Sequence, residues 1–317
     1  MMGSMWERLL GWYEGHKREL PWRRTRDAYA IWVSEIMLQQ TRVAAVLGYY
    51  ARFMERFPAV EDLARASEAE VLAAWSGLGY YRRARMMHRA AKVVVKDEGK
   101  FPESAAGLRE LPGIGAYTAA AIASIAFGEA VGVVDGNVER VFARVTGRVL
   151  SRRECQKLAD EWVARDRPGD WNQAVMELGA TVCTPRVPRC MECPLVERCA
   201  TRGEHAVEPQ AERRKAEVDH LLRRSGQKVL LRQRARELSL MAGMWELPVL
   251  AHGEGEAVLR VRHSITNTDY VVRVFAAGEE RRGGVRRWVA VEELGALPLT
   301  GLTRKILRRM GVLAVTN

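Results

Sequence analysis

No apolar run in this sequence reaches the ~18 residues that a membrane helix needs, and no hydrophobic leader core stands near its start. Neither a membrane-spanning nor a secreted protein is expected; a reducing cytoplasm, nucleoid-associated in a bacterium, fits. Cysteine is scarce, with 5 among 317 residues. Outside one short stretch only Cys155 remains, following basic residues with no partner nearby, so it reads as a bystander on a helix. A fold held by disulfides is disfavoured. Acidic residues are outnumbered, 39 Asp and Glu against 50 Lys and Arg, for a net charge of +11. That surplus favours a polyanionic partner, nucleic acid before a membrane surface. A solvated basic surface without a partner explains composition equally well.

What the chain does have is a concentration of thiols. Cys183, Cys190, Cys193 and Cys199 read C-x6-C-x2-C-x5-C, and spacers this short let one loop wrap its ligands around a metal centre. Four thiolates suit tetrahedral zinc or an iron–sulfur cluster, and softness alone does not separate them. The unequal spacing is unlike the paired C-x2-C of a zinc ribbon and favours a cubane cluster.

The length suits two domains, and a hydrophobic content of 48% can fill their cores. Through about residue 202 the texture is helical: 27–40, 43–57, 82–96, 116–127 and 171–182 carry apolar residues at three- and four-residue spacing. Residues 203–215 are polar, contain Pro209, lack periodicity and read as a linker. Beyond them, 228–231, 257–263, 270–276 and 287–291 read as strands, and 303–310 as a closing amphipathic helix. The expected fold is multi-domain: an all-α region over 1–202 ending in a metal loop at 183–199, then a smaller α+β domain over 216–317.

Within 108–121, Leu111-Pro112-Gly113-Ile114-Gly115-Ala116 places a Gly-x-Gly turn before a helix of small residues. Gly113 and Gly115 permit a tight turn and close backbone approach, and the free N–H groups of a helix start suit an anion such as a DNA phosphate. Alone, such a turn equally well joins two helices.

Several motifs in order carry a more specific likeness. Leu20-Pro21-Trp22-Arg23, Trp32-Val33-Ser34-Glu35 through Gln39-Gln40-Thr41, Gly77-Leu78-Gly79-Tyr80-Tyr81, the hairpin, Val134-Asp135-Gly136-Asn137 and the four cysteines together resemble the endonuclease III superfamily, specifically its MutY family of adenine DNA glycosylases. Residues from about 216, notably Met241 to Pro248, resemble that family's MutT-like, or Nudix-like, recognition domain. The resemblance implies a helix-hairpin-helix glycosylase holding one 4Fe–4S cluster. It also implies a monomer that acts on double-stranded DNA with adenine opposite 8-oxoguanine or G, flipping the base into a pocket.

By that resemblance Glu35 is the acid that protonates adenine N7, and Asp135 the ionised carboxylate that stabilises or traps the oxocarbenium-like sugar, steadied by Asn137. Glu35 lies amid Trp32, Ile36 and Met37, where burial would keep it protonated near neutrality. Tyr117 stands where strand-cutting relatives carry a lysine; a phenol forms no Schiff base, so a monofunctional enzyme is expected, with Tyr117 orienting Asp135. Gln40 and Leu78 are implied to enter the base stack, with Thr41 beside them and Tyr80 near the opposite base. Trp22, Arg23 and Gln173 are implied pocket residues. A lone acid or leucine in such places would more simply be a helix cap, a solvated face or loop packing. Arg186, Arg189 and Arg198 on the cysteine loop would face phosphates.

The carboxy-terminal region departs from the pattern. Between Pro248 and His263 there is no room for the glutamate-rich metal-binding helix of a working Nudix hydrolase, so nucleotide hydrolysis is not expected. The family's His-x-Phe-Ser-His loop is replaced by His263-Ser264-Ile265-Thr266-Asn267. Thr266 and Asn267 keep hydrogen-bonding capacity for an oxidised guanine. A thymine-mismatch glycosylase on the same scaffold is disfavoured because a pyrimidine has no N7 for Glu35 to protonate. A non-catalytic iron–sulfur DNA binder would need neither carboxylate, and a simple ferredoxin-like carrier does not suit a large basic chain.

Overall fold

Residues 3–202, 213–238, 240–281 and 283–314 are described in a computed structural model of the protein. The chain forms two compact units, one of Met1–Tyr50, Ala59–Glu61 and Arg89–Pro209, the other of Ala51–Pro58, Asp62–His88 and Gln210–Asn317. The helices in order are α1 (Gly3–His16), α2 (Ala28–Leu38), α3 (Val43–Arg56), α4 (Val60–Arg65), α5 (Glu68–Trp75) and α6 (Arg82–Lys96). They continue with α7 (Ala105–Leu108), α8 (Ala116–Ala126), α9 (Gly136–Thr146), α10 (Arg152–Trp162), α11 (Pro168–Thr181) and, near the end, α12 (Gly301–Arg309). The strands are β1 (Arg214–Leu221), β2 (Arg224–Ser225), β3 (Lys228–Gln233), β4 (Trp245–Glu246) and β5 (Leu250–Glu254), then β6 (Leu259–Ile265), β7 (Thr268–Phe275), β8 (Ala277–Glu280) and β9 (Val285–Ala290).

In the first unit, α2 is buried along nearly its whole length from Ala28 to Met37. Asp27 starts it by accepting hydrogen bonds from the N–H groups of Tyr29 and Ala30, which satisfies donors that have no partner inside the helix. Helix α9 starts the same way from Asp135, and Gly147 ends it in the left-handed conformation that favours glycine. The apolar faces of α1, α9, α10 and α11 meet in one core that includes Leu9, Tyr13, Val138, Phe142, Ala159, Trp171 and Leu178. Cys155 is buried there, a packing residue as its isolation implied.

Two close approaches set where α9 and its leading segment lie. Asn172 on α11 is fully hydrogen-bonded inside this core: its Oδ1 accepts from Val133 N at 3.0 Å, and its Nδ2 donates to Ser124 Oγ and Val131 O, each at 2.9 Å. Further along α11, a Cβ at Gly179 would stand 2.6 Å from Asn137 Cβ. The missing side chain is what lets the start of α9 touch α11.

The second unit has a three-stranded sheet ordered β1-β7-β6, a four-stranded sheet around β3, and the pair β5-β8. Strands β1 and β7 run parallel, β6 and β7 antiparallel. Helix α12 buries Leu302, Ile306 and Leu307 in the core of this unit with Val229, Leu231, Val272 and Leu299. The α+β expectation for this region holds, with more strands than periodicity suggested, because β2 and β4 are two residues long and carry no readable alternation. Strand β1 opens at Arg214, so the last residues of the expected linker are sheet; 203–212 lie outside the described residues. The segment 250–254 is a strand, as the missing room for a Nudix helix implied. Helix α5 and the loop after it also belong to this unit, where Ser76 Oγ and Tyr81 Oη donate to Leu299 O at 2.6 and 3.3 Å.

Replacing Gly179 by alanine sets a helix-propensity gain of roughly 1 kcal/mol against a clash with atoms that cannot rotate away, for which overpacking costs about 1–3 kcal/mol. The clash should win, and thermal unfolding of Gly179→Ala should occur a few degrees below that of the parent, at roughly 2–4 °C per kcal/mol.

Candidate active site

Glu35 is the one charged side chain on α2 and is 5% exposed. It accepts a hydrogen bond from Tyr117 Oη at 2.6 Å, delivered by the first turn of α8 just beyond the glycine turn. Burial pushes its carboxyl up to about 7; the Asp135 charge adds to the rise, while the Tyr117 hydrogen bond and the Arg23 charge oppose it. Tyr117 is itself held well above the usual phenol range by burial and by the neighbouring carboxylates, so it remains a donor.

Asp135 precedes α9 and is held on three sides. Its Oδ1 accepts from the backbone N–H groups of Asn137 and Val138 at 2.8 Å each, and its Oδ2 from Asn137 Nδ2 at 2.8 Å. The helix start thus directs its positive end at this carboxylate. The plain alternative, a helix cap, is therefore true of Asp135 and is also the means by which it is aimed. Tyr117 reaches Glu35 and not Asp135, a correction to the expected partner: the hydrogen-bonding positions on Asp135 are taken by its own helix.

These groups share one pocket of about 180 Å³. Trp22, Arg23, Glu35, Thr41, Tyr117, Asp135, Asn137 and Gln173 all line it, so residues from four separate motifs converge with Gln173. Trp22 is also buried edge-on against Tyr50, so core packing and pocket wall coincide in it. Gln40 is exposed, with the left-handed φ of 55°, beside rather than inside the pocket. Gly113 carries φ of 79°, and Gly115 caps α8 with open space where a Cβ would stand, as a turn that admits another backbone requires.

Arg18, Asn172, Met176, Glu177 and Arg140 were not singled out in the sequence. Glu177 is buried between apolar neighbours on α11, the same signature that marks Glu35 on α2. Arg140 donates to Asn137 Oδ1 at 2.8 Å and to Cys183 O at 2.8 Å, so it touches both the site and the cysteine loop.

The four cysteines line a single pocket together with Val141, Leu178, Val182 and Val196. Arg144 donates to Cys183 Sγ at 3.3 Å. Among the described residues no group of three or more His, Cys, Asp and Glu is gathered tightly enough to hold one metal ion. Of the arginines expected to face phosphates, Arg189 donates to Thr181 O at 2.7 Å and pairs with Glu192.

In the second unit, Leu78 is 7% exposed, whereas Tyr80 is 45% exposed with φ of 48°. The side chain this loop offers to solvent is thus Tyr80. Arg83 lies over the rings of Trp75 and Tyr80 and donates to Leu78 O and Gly79 O, which fixes the loop. Thr266 and Asn267 form the two-residue turn between β6 and β7, with Thr266 in the left-handed region such turns need. Arg213 Nη2 holds Thr266 O at 2.9 Å. The Met241–Pro248 motif supplies β4, where buried Glu246 accepts from Arg232 and Arg234 at 2.6 and 2.7 Å.

Residues 33–165 match the model of the HhH-GPD superfamily of base excision DNA repair proteins. The adenine DNA glycosylase of Homo sapiens is 51% identical over 210 residues, covering 61% of this chain and 38% of the human protein. That of Arabidopsis thaliana is 39% identical and covers 98% of this chain and 57% of the plant protein. The chain thus spans between about two fifths and three fifths of the length of these relatives. Among solved structures, a thermostable thymine-DNA glycosylase superposes with a TM-score of 0.60 at 29% identity, over 64% of this chain and 97% of that one. An endonuclease III trapped on DNA shares the fold, with a TM-score of 0.55 at 23% identity over 62% and 93% of the two chains.

The raised carboxyl of Glu35 has a stability consequence of fixed sign. A group whose carboxyl binds its proton more tightly folded than unfolded stabilises the fold below its ordinary range, and that contribution is lost as pH rises through about 7. At 1.36 kcal/mol per unit the loss is on the order of 3 kcal/mol. Glu35→Gln keeps an acceptor for Tyr117 but no charge, so it should melt above the parent at pH 8 and gain nothing at pH 4. Melting curves across that range check the sign.

Proposed function

We propose that this chain, whose residues 33–165 match the HhH-GPD superfamily of base excision DNA repair proteins, hydrolyses the N-glycosidic bond of adenine mispaired with 8-oxoguanine or G in double-stranded DNA. The observation that carries this reading is the pocket in which Glu35, protonatable near neutrality, and Asp135, capped by α9, stand together. A base stacked in a duplex is out of reach of such a pocket, so the adenosine must be flipped into it at a cost of a few kcal/mol.

In the pocket Glu35 gives its proton to N7, so that adenine departs neutral as the bond from N9 to the sugar carbon breaks. Positive charge gathers on the sugar, and the Asp135 carboxylate meets it by electrostatic stabilisation or by a covalent bond; water then supplies the hydroxyl and loses its proton. Tyr117 keeps the Glu35 carboxyl oriented through its hydrogen bond. With a phenol at position 117 and no amine, no Schiff base forms with the sugar, and the product is an intact strand bearing an abasic site. Trp22, Arg23 and Gln173 would flank the base.

The four cysteines fit one 4Fe–4S cluster. A cluster spreads its ligands over several irons, and four thiolates around one largely apolar pocket suit that arrangement. With all four ligands from the protein the group leaves no position for a substrate; what it supplies is a fixed loop next to α9 and α11. The turn at Gly113–Gly115 is the contact expected for the DNA backbone, and the exposed Tyr80 and the Thr266–Asn267 turn are those expected near the opposite base. The similarity of the Arabidopsis thaliana adenine DNA glycosylase along 98% of this chain takes in the second unit as well as the first.

Likeness to a thymine-DNA glycosylase gives a second reading its footing. Glu35 weighs against it, since thymine offers no N7. Single-turnover base release from matched duplexes with A opposite 8-oxoguanine, A opposite G and T opposite G separates the two. Adenine release is expected, faster opposite 8-oxoguanine; thymine release or none would sink the proposal. Glu35→Gln should lose about 10²–10⁴-fold in adenine release, the share general acid catalysis contributes, while still binding the duplex. Cys199→Ser should lower iron content and the absorption near 400 nm in anaerobically purified protein; a parent that holds zinc and no iron would overturn the cluster assignment.

A further inference from the structure

One part of the pocket wall is built on a buried ion cluster that the reaction as described does not use. Glu177 is 1% exposed. Its Oε1 accepts from Arg18 N at 3.1 Å and Arg18 Nε at 2.7 Å, and its Oε2 from Arg18 Nη2 at 2.7 Å and Arg23 Nη2 at 2.8 Å. Arg23 is gripped further: its Nη1 donates to Arg18 O at 3.1 Å, and its guanidinium lies 5.5 Å from the centre of the Tyr13 ring. The Arg23 side chain is 12% exposed. One carboxylate therefore pairs with two arginines, both of which line the pocket.

We infer that Glu177 is a positioning residue: it holds the Arg23 guanidinium against the base pocket and offsets its charge there, so that the acid at position 35 is neither discharged nor displaced. The inference rests on the reading of this pocket as the adenine-excising site. The ionisable groups around Glu35 are few enough to follow. Tyr117 reaches it from α8, Asp135 from the start of α9, and Arg23 from the turn Pro21–Arg23; Arg18 and Glu177 complete the ionisable lining of the pocket among the described residues. Burial alone would raise the Glu177 carboxyl, but the hydrogen bonds of Arg18 and Arg23 bring it down to about 2, so it carries its charge throughout the pH range of the reaction.

The sign of each perturbation follows. Removing the Glu177 charge leaves the nearby guanidinium groups uncompensated, which favours the ionised form of Glu35. Removing Arg18 leaves the Glu177 charge less compensated and favours the protonated form. The basic limb of the pH profile, where Glu35 loses its proton, should therefore move in opposite directions in the two variants. Each shift should be smaller than the roughly 1–3 units that a directly adjacent opposite charge produces.

The experiment is single-turnover adenine release against pH by the full chain with its iron loaded, for the parent, Glu177→Gln, Glu177→Asp and Arg18→Gln. Glu177→Gln should move the basic limb to lower pH and slow release at pH 8 by severalfold more than at pH 6. Glu177→Asp, which keeps the charge, should restore the limb even where its rate is lower. Arg18→Gln, at a side chain 39% exposed and so the most tolerant site of the cluster, should move the limb to higher pH. It stands as the test if Glu177→Gln does not fold. Rates lowered equally at every pH, with the limb unmoved in Arg18→Gln or in folded Glu177→Gln, would show a merely structural role and end the inference. Failure of the parent itself to release adenine would instead strike the proposed function.

Discussion

The desolvation of one carboxyl group governs this molecule's chemistry. Glu35 sits on a helix whose other side chains are mostly apolar or small, and burial in such surroundings pushes its carboxyl up. Left there it would hold its proton too firmly to give it up. The Tyr117 hydrogen bond and the Arg23 charge pull in the other direction, and the outcome, about 7, lies where an acid is both present and able to donate near neutrality. The rest of the site can be understood as what this balance requires. A phenol must approach from α8, a cation must stand near without neutralising the group, and water must be kept out.

The second carboxylate is managed by the opposite means. Asp135 is given three donors at a helix start, where Glu35 takes a single hydrogen bond, from Tyr117, in apolar surroundings. Two acids in one pocket thus acquire different tasks without differing in kind. What makes that division durable is backbone packing rather than side-chain contact at the site. Asn172 fastens the segment leading into Asp135 to α8 and α11, and the bare Cα of Gly179 lets α9 begin hard against α11. Asn137, which holds Asp135, is in turn held by Arg140 from the cysteine-loop side. The carboxylates are therefore positioned by the core of the unit that contains them.

Much of this was legible in the sequence, for identifiable reasons. The helices expected at 27–40, 43–57, 82–96 and 116–127 were found within two residues, and that at 171–182 began three residues early, because amphipathic burial is written in three- and four-residue spacing. The acids, the tyrosine and the pocket residues could be named because short motifs carried them, and the pocket brings them together. Two kinds of feature escaped. The strands of two residues, β2 and β4, are too short to carry a pattern of their own: β2 pairs with β3 across the turn at Gly226, and β4 pairs with the far end of β3. The polar side chains that act through another residue, Asn172, Glu177 and Arg140, belong to no motif; burial reveals the first two, and its hydrogen bonds reveal Arg140. Tyr117 shows the limit between the two: its presence at the site was readable, but its partner was decided by the three donors already occupying Asp135.

Buried carboxylates clasped by paired arginines occur in both units, at Glu177 with Arg18 and Arg23 and at Glu246 with Arg232 and Arg234. Stability gives a poor account of either. Desolvating the charges costs about what their attraction returns, and well-packed apolar replacements in other proteins are often neutral or stabilising by roughly 1–4 kcal/mol. What an apolar core cannot do is hold a guanidinium in one orientation with its hydrogen bonds directed, since the planar fork needs a carboxylate to fix it. In the second unit that fixity joins β3 and the chain after it to β4, within the Met241–Pro248 motif. In the first it places Arg23 on the pocket wall. The energetic return of such a cluster lies in where it puts a charge, and the first unit puts that charge within reach of the one acid whose protonation the reaction needs.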